Sequence, residues 1–177
     1  MTIDYNVVDF IKVVSEKLAK HKELVQKNDF DSISDDEYLC HAVIDLLSDK
    51  GDAVLKTLPL NCQFANAISV VINITYSENF EMVYTEYAHL VGLAIVGLYE
   101  IKMPELGKVI RQSNFIYEDS KEIIAKLHKE IISLQELSDM QLWQDLHKDF
   151  YSIYSVENLL KNMALHIRKN CKDFYNL

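Results

Sequence analysis

The most apolar stretch of the chain runs from Asn79 to Ile110 and reads NFEMVYTEYAHLVGLAIVGLYEIKMPELGKVI. Its centre, residues 88–98, contains one polar side chain, His89. A helix that is apolar on every side is typical of a protein interior. We therefore predict that one helix begins near Ser77, which caps it, continues through this centre, and has the other helices packed around it.

Two glycines, Gly92 and Gly97, lie in this centre. Glycine costs about 1 kcal/mol relative to alanine inside a helix, so its presence needs a reason. Close approach of a neighbouring helix is the explanation we favour for both positions. A ligand pocket beside the helix is the alternative.

The composition of the whole chain favours an all-α protein. The 177 residues include only four glycines and two prolines, and 49% of the residues are hydrophobic. These values are typical of one helical domain with one core, and we expect residues 1–177 to form it. Apolar residues recur at helical spacing in about eight segments, and no segment predicts a strand.

Local signals place the ends of the helices. Ser34 and Glu37 fit a capping box that starts a helix reaching about Ser48, with Gly51 as its stop signal. Pro104 suits the first turn of another helix, which we expect to end near Gln112. The remaining predictions are helices over 4–27, 61–75, 118–137 and 156–172, a loop over 113–117, and caps at Ser138-Asp139 and Ser155.

Negative charge is concentrated in one segment. The formal net charge is −9, and residues 29–52 hold eight acidic residues and one basic residue, a local charge of −7. Such a chain repels nucleic acid and anionic membranes, so we expect neither as a direct partner. The acidic residues either form a solvated loop and helix start, or they form a surface that faces a basic partner. They are Asp29, Asp31, Asp35, Asp36, Glu37, Asp45, Asp49 and Asp52.

A second group of acids precedes the apolar centre and consists of Glu78, Glu81 and Glu86. A solvated helix face accounts for them, and they also extend the candidate partner-binding surface. Paired carboxylates are able to do acid–base chemistry, but no other catalytic pattern accompanies these three.

The sequence contains no motif that predicts a cofactor, a metal or a catalytic nucleophile. The six histidines lack the spacing of a metal site, and the glycines form no phosphate-binding loop. His89 is interpreted as a histidine satisfied in the core or at its edge, with a general base or pH switch as the alternative. Cys40, Cys62 and Cys171 are an odd number without paired spacing, which favours free thiols in a reducing cytoplasm. No signal peptide or membrane-spanning run is predicted.

Several short motifs around the apolar stretch occur in an order found in one helical family. Phe80 and Val83-Tyr84 stand at the Phe and aromatic pair of an Asn-Gly-Gly-Phe signature, and Ser77-Glu78-Asn79 stands at its turn. Residues 98–101 match a Leu-x-x-Ile segment, and residues 104–110 match the helix after it. Further matches are Leu58-Pro59, Leu146–Tyr151, Glu157–Leu160 and His166–Arg168.

The chain thus resembles, over about residues 55–174, the family named after a bacterial DNA mimic protein, most of whose members have no known function. The resemblance implies an all-α fold and an acidic face that imitates duplex DNA and binds a basic DNA-binding protein. Carboxylates spaced like phosphates would occupy the Lys and Arg surface of that partner.

We therefore predict a non-enzymatic acidic binding protein whose partner is a DNA-binding regulator. One alternative is a bacterial immunity protein that neutralises a basic nuclease toxin. Another is a helical small-molecule-binding or enzymatic domain that uses His89 and nearby tyrosines. A homodimer is left open.

Overall fold

The computed structural model describes residues 5–127 and 140–177, apart from the side chains of residues 5–10, 119–120 and 123–127. This part of the chain forms nine α-helices and one 3-10 helix, and it contains no strand, which confirms the predicted all-α class. The helices are α1 (Tyr5–Gln26), α2 (Asp36–Ser48), α3 (Asp52–Leu55), α4 (Leu60–Ser77), α5 (Phe80–Glu86), α6 (Ala88–Glu100), α7 (Pro104–Leu127), α8 (Gln141–Ile153), α9 (Val156–Lys169) and the 3-10 helix Cys171–Phe174.

The chain divides into two compact units. The terminal unit comprises Met1–Cys62 and Leu160–Leu177, and the central unit comprises Gln63–Leu159. The boundaries between them fall inside α4 and α9. A single domain therefore stays a prediction.

The terminal unit is built on the packing of α1 against α2. Helix α2 buries Leu39, Val43, Leu46 and Leu47, which recur at helical spacing. The side chain of Arg168 donates to the Asp36 carboxylate and to the Ile33 carbonyl, so it holds α9 against the start of α2.

The start of α2 differs from the predicted capping box. The Asp35 carboxylate caps this helix, accepting from the amides of Glu37 at 2.9 Å and Tyr38 at 3.2 Å. Aspartate caps as well as serine does, so the helix begins one residue later than Ser34 would place it. Gly51 is not a helix stop: its φ is −66°, and it precedes α3.

The central unit confirms one of the two predicted close approaches at glycine. A Cβ on Gly97 would lie 2.9 Å from the Phe64 Cβ and from the Ile68 Cδ1, so α6 contacts α4 through this residue. At Gly92 the prediction is wrong, because no atom of another segment among the described residues lies within 4 Å of a Cβ at that position.

The predicted continuous helix through the apolar stretch is interrupted. Asn79, not Ser77, caps α5 by accepting from the Met82 amide at 2.7 Å. Tyr87 has φ −123° and ψ 17°, outside the helical region, and the axes of α5 and α6 differ in direction by 120°. The helical spacing of apolar residues in the sequence continues through Tyr87, so it does not predict this bend.

Helix α6 is also buried on one face only. Its buried residues are Val91, Ala94, Gly97 and Leu98, whereas Val96 on the opposite face is 50% exposed. Among the described residues, no single helix is both long and apolar enough to cross a membrane; α5 and α6 meet that test only as a pair, across their bend.

The other predicted boundaries have mixed outcomes. Helix α7 begins at Pro104 as expected, but residues 113–117 continue it instead of forming a loop. Ser113 fits there because its hydroxyl donates to the Ile110 carbonyl at 2.6 Å, a bond compatible with a helix. The predicted cap at Ser155 is confirmed, since its hydroxyl accepts from the Asn158 amide. The Ser138-Asp139 cap and residues 128–137 of the predicted 118–137 helix lie outside the described residues.

The last α-helix is shorter than predicted. Helix α9 ends at Lys169 instead of Lys172, and the 3-10 helix follows. Asn61 accounts for part of this end, because its side chain bonds to Asp173 and to His166. These contacts lie within the terminal unit.

Candidate functional site

The acidic segment of residues 29–52 lies largely in solvent. Five of its carboxylates are exposed: Asp31, Asp35, Glu37, Asp49 and Asp52. The other three, Asp29, Asp36 and Asp45, are half-buried. All eight belong to the terminal unit.

Four of these acids have structural roles. Lys22 of α1 lies 3.7 Å from the Asp45 carboxylate and 3.3 Å from the Asp49 carboxylate. Asp36 is paired with Arg168, and Asp35 caps α2. The helix start and the packing of α1 on α2 therefore account for about half of the segment.

The remaining four acids are the candidates for binding a partner. Asp29, Asp31 and Asp52 make no ion pair with any residue that the structure describes. Glu37 is 3.7 Å from the His41 Nε2, and both side chains are exposed. Exposed carboxylates of this kind keep their charge available to a cation arriving from solvent.

The second acidic group does not form one face. Glu78 and Glu86 are exposed in the central unit, as predicted. Glu81 is fully buried, so its assignment to a solvated, partner-binding surface is wrong. It lies in the first turn of α5 beside Phe80, and that turn packs into the core of the central unit.

The buried Glu81 carboxylate faces His147 of α8. The Oε2 of Glu81 is 3.4 Å from the His147 Nε2, and neither carboxylate oxygen has a hydrogen-bond partner among the described residues. The imidazole stacks on the Phe80 ring with centroids 5.2 Å apart and planes 6° from parallel. The indole Nε1 of Trp143, one turn earlier on α8, is also buried, with no hydrogen-bond partner in the part of the chain that the structure describes.

The hydrogen-bond partner of the His147 Nε2 depends on whether this nitrogen carries a proton. The Phe80 amide donates to its Nε2 at 3.2 Å, which requires an unprotonated nitrogen. A proton on the same nitrogen would instead bond to Glu81 and would displace the Phe80 amide. A buried carboxylate is costly unless it is paired, and His147 is the side chain that lies beside Glu81.

Sequence reasoning missed this pair, although α8 carries a signal for it. Trp143, Leu146, His147 and Phe150 have the spacing of one helical face, so the sequence already places His147 on an apolar stripe. Nothing in the sequence identifies Glu81 as its partner, because 66 residues separate them in the chain.

His89, the histidine that the sequence singled out, is exposed on α6. It lies opposite the buried face of that helix, so its interpretation as a satisfied core or edge histidine is wrong. No group of three or more His, Cys, Asp or Glu side chains suited to a metal ion occurs among the described residues.

The three cysteines are free thiols. Burial is the main cause that raises the pKa of Cys40 to about 12 and that of Cys62 to about 12. Both thiols donate to backbone carbonyls, of Leu160 and Asp173 respectively. Thiols held protonated in this way are poor nucleophiles at neutral pH.

Comparison of the chain with protein-family models, with curated proteins and with solved structures gives no match.

Proposed function

We propose that this protein is a non-enzymatic acidic binding protein that engages a basic protein through the carboxylates of its terminal unit. The observation that carries the proposal is that Asp29, Asp31 and Asp52 make no ion pair with any residue that the structure describes. Glu37 adds a fourth carboxylate, which is exposed at the first turn of α2.

The chemistry of the partner follows from this charge. Lys and Arg side chains that normally neutralise DNA phosphates would bind carboxylates presented at similar intervals. The partner we infer is a DNA-binding regulator, and imitation of DNA is the form of binding that the family resemblance implies. We place the protein in the cytoplasm, on the basis of its three free thiols.

The test is retention of basic proteins from the native cell extract on the immobilised full-length chain. The test variant is Asp29→Asn/Asp31→Asn/Asp52→Asn. The matched control, Glu100→Gln/Glu122→Gln/Glu157→Gln, removes the same three charges from exposed positions elsewhere. We expect a basic protein to be retained at low salt by the wild type and the control, and to be lost by the test variant.

Two further conditions define the outcome. Raising the salt concentration should release the partner, and duplex DNA should compete with the chain for it. A retained nuclease whose activity is inhibited would support the immunity alternative over the regulator. Failure to retain any basic protein at low salt would refute the proposal.

A further inference from the structure

An open cleft of about 300 Å³ lies between α7 and α8 in the central unit. Its apolar lining comes from Phe115 and Ile116 on α7 and from Leu142 and Leu146 on α8. This volume is at the lower end of the range for small-molecule pockets, and the cleft is open, so it is poorly suited to enclosing a ligand. An open apolar groove between two helices suits the face of a third.

Two large apolar side chains flank this cleft in solvent. Phe115 is 57% exposed and Leu142 is 61% exposed, whereas Leu146 between the helices is 4% exposed. Single exposed apolar residues are ordinary on protein surfaces. Here Phe115 and Leu142 border one groove, and the buried Leu146 forms part of its floor. The three side chains therefore belong to one apolar surface.

The cleft carries a negative charge on its α8 wall. Asp145 accepts from Gln141 at 2.7 Å and from Lys148 at 3.2 Å, so its charge is partly compensated. Asp149, one turn later on the same wall, makes no ion pair with the residues that the structure describes. An occupant of the groove therefore meets a carboxylate on the α8 wall that is not engaged in an ion pair with the described residues, whereas on the α7 wall the Arg111 guanidinium lies 5.7 Å from the centroid of the Phe115 ring.

We propose that this cleft binds the apolar face of a basic amphipathic helix from a partner protein. Leucine-like side chains spaced i, i+3, i+4 and i+7 would contact Phe115, Leu142 and the floor of the groove. Lysine or arginine beside that stripe would pair with Asp149. This inference goes beyond the proposed function, because the groove lies in the other unit and binds mainly through apolar contact.

The experiment titrates the full-length protein with a synthetic peptide of about 16 residues, with leucine at the anchor positions and lysine elsewhere. Isothermal titration calorimetry measures the binding. Backbone NMR shifts then locate the peptide. A control peptide keeps the leucines and replaces every lysine by glutamate.

We expect Leu142→Ser to weaken binding by about tenfold or more, since it removes a contact of the size of one buried leucine. Asp149→Asn should weaken binding by about threefold at low salt, and less as salt rises. The control variants Val96→Ser and Glu100→Gln alter exposed positions of α6 and should leave binding unchanged.

Several outcomes would overturn the inference. They are equal affinity for the glutamate peptide, NMR shifts that map outside α7 and α8, and equal loss in the α6 variants. Dimerisation of the chain that Leu142→Ser abolishes would assign the groove to a second copy instead. Asp29→Asn/Asp31→Asn/Asp52→Asn should bind the peptide normally, which separates this result from that of the proposed function.

Discussion

At the scale of single residues, the environment of Glu81 is governed by its neighbour on α8. Its carboxyl group is withdrawn from solvent, and the Nε2 of His147 lies 3.4 Å from its Oε2. A carboxyl group in such a place depends on its partner, because breaking a buried pair leaves one polar group desolvated and without a partner.

Replacing His147 by phenylalanine should therefore destabilise the protein by about 3 kcal/mol or more, although the ring can still stack on Phe80. The double variant Glu81→Met/His147→Phe should recover most of the loss, because it removes both polar groups together. Urea unfolding of the two single variants and the double variant measures this coupling. Additive effects of the two substitutions would contradict the pairing.

The buried thiols predict a loss of stability at alkaline pH. Cys40 and Cys62 keep their protons up to about pH 12 in the folded state, whereas unfolded thiols ionise near 9. The unfolded state thus binds fewer protons between these values, so the free energy of unfolding falls as pH rises from 9 toward 12. The slope is at most about 1.4 kcal/mol per pH unit for each thiol.

Urea unfolding at neutral pH and at several values above 9 tests the effect. Cys40→Ala should reduce the slope, whatever it costs in stability at neutral pH. Tyr84 contributes in the same direction at higher pH, because burial also raises its pKa. A slope that is unchanged in the Cys40→Ala variant would rule out this thiol as a source.

At the scale of helices, glycines and caps show how local geometry and packing compete. Gly92 and Gly97 have the same helical propensity and lie five residues apart in α6, yet only Gly97 faces another helix. The two positions are therefore a matched pair for separating backbone propensity from packing.

Gly97→Ala should destabilise the protein by about 1–3 kcal/mol, because its Cβ would overlap the Phe64 Cβ and the Ile68 side chain. Gly92→Ala should stabilise it by about 0.5–1 kcal/mol, since the site is open and alanine favours helix. Thermal and urea unfolding of both variants measure the difference. The same sign for the two substitutions would contradict the described contact of α6 with α4.

The start of α2 gives a second matched pair. Asp35→Ala removes a side chain that accepts from two amides of the first turn, and it should cost about 1 kcal/mol. Ser34→Ala should be close to neutral, because the Ser34 side chain does not cap the helix. Chemical denaturation of the two variants decides between Asp35 and the capping box that the sequence suggests.

At the scale of the whole molecule, the net charge of −9 opposes folding through repulsion among the acids. Sodium chloride at about 0.5 M should therefore raise the free energy of unfolding, by roughly 1 kcal/mol, since it screens exposed charges. Asp29→Asn/Asp31→Asn/Asp52→Asn should respond less to salt than Glu100→Gln/Glu122→Gln/Glu157→Gln. Equal responses would mean that the −7 segment is not a special source of repulsion.

The sequence predicts the helical class and most helix positions, because apolar spacing and residues such as Pro104 and Ser155 act locally. It does not predict the bend at Tyr87 or the burial of Glu81. Both depend on which other segment packs there, and a one-dimensional pattern does not contain that information. For the candidate surface, the sequence identifies the acids, whereas the ion pairs with Lys22 and Arg168 that use some of them depend on the fold.

Because the Phe80 amide donates a hydrogen bond to the His147 ring, this backbone group of α5 reports on which group the ring is bonded to. When the ring nitrogen accepts, this amide is held and its exchange with deuterium is slow; when the nitrogen carries a proton, the amide is released. A single resonance in a nitrogen–proton spectrum would therefore show which of its two neighbours the imidazole is holding.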